Sequence, residues 1–140
     1  MFVHGAFADA SGFADSMAAL QKLGYTVYAP PNPLRSLTGD ADSIRTFLST
    51  IAGPIVLVGH SYGGAVITNA ATAKPNVKAL VYIAAYALEQ GESVDAANEL
   101  GGGHTDLLAN IEFRPYPNAP DLPQSPTGKD RRFSRPRASR

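Results

Sequence analysis

One serine stands between glycines in Val58-Gly59-His60-Ser61-Tyr62-Gly63-Gly64, directly after the apolar run Ile55-Val56-Leu57-Val58. A serine hydroxyl is a useful nucleophile when a sharp bend lifts it clear of the backbone and a base takes its proton. The G-x-S-x-G spacing supplies such a bend. Where a strand turns at once into a helix, side chains two before and two after the serine collide, so positions 59 and 63 call for glycine. The helix that follows aims its positive end, and the amide of Tyr62, at an oxyanion formed beside Ser61. The plainer alternative is that Gly59 and Gly63 simply allow a tight strand-to-helix turn. A phosphate loop does not, because it ends in Gly-Lys-Ser/Thr and Gly64-Ala65-Val66 follows here.

The second chemical segment is His4-Gly5-Ala6-Phe7. An oxyanion hole needs two amides converging on one oxygen, and glycine at position 5 lets the backbone come close. Ala6 is the expected second donor, beside Tyr62, with Phe7 the next candidate. The base is harder to place. Of three histidines, His4 and His60 precede Ser61, and the backbone aims the side chain of His60 elsewhere, so a supporting role for both loops is expected. His104, in Gly-Gly-Gly-His-Thr-Asp, is the one that follows. Glu89 and Glu92 are candidate acids. With no cysteine, disulfides and thiolate metal sites are excluded.

The elements that must hold these loops are legible as alternating strands and helices. Phe2-Val3-His4 and its neighbours form a short first strand. Residues 11–23 place Phe13, Met17 and Leu20 on one helical face, with Ser11 as cap and Gly24 at the end. Tyr25–Ala29 reads as a second strand, closed by Pro30, Pro31 and Pro33. Asp40 opens a second helix carrying Ile44, Phe47, Leu48 and Ile51 on one side. Residues 55–58 form a strand covered on both faces. A third helix follows from about 63 to 73, and 78–85 is a fourth strand. Such an order predicts an α/β fold, a mostly parallel four-stranded sheet of order 2-1-3-4 with helices on both faces. Both chemical loops then open onto the switch point between the strands ending at His4 and Gly59.

With these pieces in place, the chain resembles the α/β-hydrolase superfamily, most closely its small bacterial esterase-like members related to plant ester hydrolases and hydroxynitrile lyases. The likeness lies in VHGAFADASGF, LGYTVYAPPNPLRSL, GPIVLVGHSYGGAVIT and ALVYIAAYALEQGES, spanning residues 3 to about 93. Phe13 stands where many relatives have tryptophan. The resemblance implies Ser61 as nucleophile and Ala6 and Tyr62 as oxyanion donors. It also implies a triad in the order Ser, acid, His, with the histidine after the last strand and a cap beginning beyond Tyr86.

Against that pattern the chain looks cut at both ends, and a frameshift is one explanation. Residues 1–113 are expected to form a truncated core with the start of the cap. Residues 114–140 hold six of the eleven prolines and seven Lys/Arg against two Asp, a net of +5, which leaves −5 on the rest. A segment so poor in apolar residues is expected to be disordered. The N-terminal residues lack a secretory pattern and no run approaches a membrane span, so the expected location is cytoplasmic.

The function expected on this reading is hydrolysis of small carboxylic esters through an acyl-serine. It needs no metal or organic cofactor, and no nucleic-acid or membrane partner. Loss of the histidine and acid would impair it. A hydroxynitrile-lyase-like activity would use the same residues. Rivals from other classes are a non-catalytic small-ligand-binding protein on the same scaffold and an interaction protein acting through its basic tail.

Overall fold

The computed structural model describes residues 1–88, together with Glu92 and Ala97. They belong to one compact unit, Met1–Gly103. The boundary expected at 113/114, the basic tail, His104 and Glu89 lie outside the described residues. Strand β1 (Phe2–Val3) leads to a 3-10 turn at Ala10–Phe13 and helix α1 (Ala14–Lys22). Helix α2 (Leu37–Leu48), strand β2 (Ile55–His60), helix α3 (Tyr62–Ala70) and strand β3 (Val77–Ile83) follow.

The sheet is parallel and has the order β1-β2-β3. Its three strands keep the expected sequence of neighbours, but the described sheet has three strands rather than four. Residues 25–29 contribute a single bond to it, from the Phe2 amide to the Tyr28 carbonyl at 2.8 Å. Two physical features keep this segment from becoming a strand. β1 is only two residues long, and Pro30 and Pro31 remove the donors that would continue a ladder. The alternation in Tyr25–Ala29 is therefore an extended run beside β1.

The core lies between the sheet and one helical layer. Ala65, Val66, Ile67 and Ala70 of α3 are fully buried against Val3 and Leu57, with Ile44 and Leu48 of α2 closing the cluster. Arg45 ties the two helices by donating to the Asn69 carbonyl at 2.7 Å. The opposite face of the sheet is thinly covered. α1 buries none of its residues, and Phe13 stacks on Phe2 with ring centroids 4.8 Å apart. Val56, Val81 and Ile83 remain 47%, 41% and 45% exposed. They share one face because side chains alternate along a strand and Val58 pairs with Val81. β2, expected to be covered on both sides, is thus buried only through Ile55, Leu57 and Gly59 among the described residues.

Helix starts also differ from expectation. α1 is entered through the 3-10 turn, where the Asp9 carboxylate accepts from both the amide and the hydroxyl of Ser11. Ser11 donates there rather than capping. α2 begins at Leu37, not at Asp40. Ser36 is its cap, accepting from the Gly39 amide at 3.2 Å, and Asp40 falls inside the first turn.

Candidate active site

The bend at Ser61 is as sharp as the spacing requires. β2 ends at His60, α3 begins at Tyr62, and Ser61 alone makes the turn with φ 53° and ψ −127°. A positive φ in a residue with a side chain is strained, and strain of this kind gathers at functional sites. Surrounding backbone holds it. The Ser61 amide donates to the Ile83 and Ala84 carbonyls at 3.3 and 3.2 Å, and its carbonyl accepts from Gly64 and Tyr86 at 3.0 and 3.2 Å. A Cβ on Gly59 would lie 2.6 Å from the Gly63 carbonyl oxygen, and one on Gly63 would overlap the carbonyl of Val3. Glycine at 59 is therefore a steric necessity of the bend, and glycine at 63 a necessity of packing the start of α3 against β1.

Gly5 lies against the serine. A Cβ built on it would meet the Ser61 Cβ and the His60 carbonyl oxygen, both at 2.8 Å, and Ser61 Oγ at 3.3 Å. Ala6 follows in the loop and is half-buried, and Phe7 turns through φ 62°. The structure thus brings the loop after β1 and the bend after β2 to one place at the C-terminal end of the sheet.

His4 fastens that loop. It is 5% exposed, its Nε2 accepts from the Asn32 amide at 3.0 Å, and its Nδ1 lies 3.0 Å from the Gly5 carbonyl. An amide can only donate, so the tautomer that satisfies both contacts carries its proton on Nδ1. Asn32 Nδ2 returns a bond to the His4 carbonyl at 3.0 Å. Both ring nitrogens are occupied, which leaves His4 a structural part of the loop. His60 ends β2 and alternates onto the face of Val56 and Val58. Among the described residues no histidine ring hydrogen-bonds to Ser61 Oγ. Glu92 is half-buried and outside any helix or strand.

Tyr62 shows a feature that sequence reading missed. Its hydroxyl donates to Asp40 Oδ2 at 2.8 Å, and Asp40, wholly buried, also accepts from the Arg35 amide at 3.1 Å. Burial, then the hydrogen bond to Asp40, then its charge raise the Tyr62 hydroxyl well above its ordinary range. Asp40 was legible only as a helix-terminal acid. Its position one turn after a Ser cap, in a helix that must pack on the one after Ser61, is the signal that could have singled it out.

A groove of about 830 Å³ opens elsewhere, lined by Phe2, Tyr25, Tyr28, Ile55, Val56 and Val58 among others. Neither Gly5, Ala6, Ser61 nor Tyr62 lines it. It follows the thinly covered sheet face. No group of three or more metal-binding side chains occurs among the described residues, and no described helix is long and apolar enough to cross a membrane.

Comparison with known proteins agrees with this architecture. A family model described as "Alpha/beta hydrolase family" matches residues 1–139, a span that includes the Pro- and Arg-rich segment set apart above. The chain is also similar to a "Carbendazim hydrolyzing esterase" of Nocardioides sp. (strain SG-4G), 34% identical over 132 residues. That similarity covers 77% of this chain and 54% of the relative, so the chain spans about half the length of the curated relative it matches. No solved structure matches. The chain belongs to the Alpha/beta hydrolase family.

Proposed function

We propose that the chain carries a serine esterase site, with Ser61 as nucleophile and the amides of Ala6 and Tyr62 as oxyanion donors. The observation that carries this reading is the strained Ser61 held against Gly5. Oγ attacks the carbonyl carbon of a small carboxylic ester, and the carbonyl oxygen takes the negative charge between the two amides. Each well-placed donor of this kind is worth about 3 kcal/mol in the transition state. Collapse breaks the bond to the alcohol, which leaves with the serine proton. Water then releases the acid from the acyl-serine and restores the hydroxyl. The printed name of the relative, an esterase, supports an ester as the substrate class.

The proton needs a carrier, and His4 is committed to Asn32 and Gly5. Among the described residues no base meets Ser61, and a serine triad without one loses on the order of 10⁶ in turnover while keeping roughly 10³–10⁴ over water. We therefore expect reaction with activated reagents and slow turnover of simple esters. Hydrolysis of a chromogenic acetate by wild type and Ser61→Ala tests the reading. A faster wild type supports it, and equal rates in both overturn it.

A further inference from the structure

We infer that Asp40 is a positioning residue for the oxyanion-binding amide of Tyr62, acting through the Tyr62 hydroxyl. The inference rests on the reading of Ser61 and Tyr62 given above and adds to it the group that aims one of the donors.

Asp40 is 0% exposed, and the ion pair among the described residues joins Arg45 to Asp42 instead. A carboxylate without a cation is costly to bury unless hydrogen bonds and local dipoles replace its water. Here the Tyr62 hydroxyl serves one oxygen and the Arg35 amide the other. The site also lies in the first turn of α2, whose end favours negative charge. Such a carboxylate has few alternative partners and little room, so the phenol that meets it is held firmly in turn.

The position of that phenol in the chain gives the contact its consequence. Tyr62 is the first residue of α3, directly after Ser61, and its amide belongs to the helix turn whose N–H groups have no partner within the helix. Its ring packs against the core cluster, and its hydroxyl is fixed by Asp40 on the neighbouring helix. One residue later, Gly63 lies against the Val3 backbone. The Tyr62 amide shares its planar peptide with the Ser61 carbonyl, which accepts from Gly64 and Tyr86. The fixed ring, hydroxyl and following residue add the restraint that stops the first turn of α3 rotating about its axis and so completes the aim of the amide. The raised hydroxyl pKa keeps the proton on the phenol, which remains a donor to Asp40.

The test is the rate of Ser61 modification by a fluorophosphonate, resolved into kinact and KI, with thermal melting measured on every variant. The probe replaces its fluoride by Ser61 Oγ, fluoride leaving and the serine proton passing to buffer, so oxyanion stabilisation enters kinact. Tyr62→Phe and Asp40→Ala are expected to lower kinact about ten-fold or more, since a donor displaced by about 1 Å can cost 10². KI should stay within about two-fold. The double variant should be no slower than the worse single variant, because one pathway is broken in both. Asp40→Asn keeps an acceptor for the phenol and should recover kinact to within about three-fold of wild type. If Tyr62→Phe and Asp40→Ala, folded at the assay temperature, keep the wild-type kinact, the inference fails and the nucleophile reading survives. If wild type reacts no faster than Ser61→Ala, the nucleophile reading fails and takes the inference with it.

Discussion

Gly5 and Ser61 are in backbone-to-side-chain contact: a single added carbon on Gly5 would sit 2.8 Å from Ser61 Cβ and 3.3 Å from Oγ. A loop after the first strand and a bend 56 residues later thus share one small volume. Gly5→Ala is expected to push the two apart and to lower fluorophosphonate reaction of Ser61 about 100-fold. Overpacking of this kind costs about 1–3 kcal/mol, which urea unfolding would register alongside the lost reactivity.

Gly59→Ala should act on folding. The nearest atoms to its new Cβ are backbone atoms of Gly63 and Gly64, at 2.6 and 2.7 Å, and none can swing aside as a side chain would. We expect a loss of about 3 kcal/mol, at the upper end of overpacking costs. Unfolding midpoints in urea, compared with an exposed control such as Gly12→Ala, check it.

His4→Ala removes an acceptor from the buried Asn32 amide and a donor from the Gly5 carbonyl. Each stranded group costs about 1–3 kcal/mol, so the variant should be among the least stable single changes outside the core. Hydrogen exchange should show the Asn32 amide losing protection before the amides of α3. Unchanged protection there would contradict the network.

Alkaline stability reports on Tyr62. Its folded-state pKa lies above the ordinary 10.0, so the folded chain holds that proton more tightly than the unfolded one. The resulting stability is fully present below pH 10 and declines as pH rises through the folded value. Denaturant midpoints should fall above about pH 10, where unfolded tyrosine ionises, and the fall should be smaller in Tyr62→Phe. Equal slopes in both proteins would show that burial and the Asp40 contact together do not hold the proton on the phenol.

Val56, Val81 and Ile83 make one apolar sheet face open to solvent. Val81→Lys, on β3 at the edge of the sheet among the described residues, should raise the concentration at which the chain stays monodisperse while changing stability by no more than about 0.5 kcal/mol. Sedimentation across a concentration series measures the first and urea unfolding the second.

The sequence reveals the bend because part of its cause is local: a Cβ on Gly59 would strike the backbone of Gly63 and Gly64, whereas the need for glycine at 63 comes from the distant Val3 and His4 carbonyls. The strand order follows from crossover handedness and the alternation of elements, which is also written in the chain. Residues 25–29 mislead because alternation describes an extended chain and says nothing of whether a partner ladder is long enough to pair with it. The start of α2 misleads because Ser36 and Asp40 both suit a helix terminus, and only burial separates the capping residue from the one turned inward. The Asp40–Tyr62 bond spans 22 residues and depends on how α2 packs on α3, which no local pattern records.

The central claim is that Ser61 is a nucleophile set against the Gly5 loop. Its most direct test is peptide mapping by mass spectrometry after reaction of the full chain with a fluorophosphonate. We predict a single adduct on the peptide containing Ser61, absent from Ser61→Ala. An unmodified Ser61, or an adduct that persists elsewhere in Ser61→Ala at the same rate, would contradict the account.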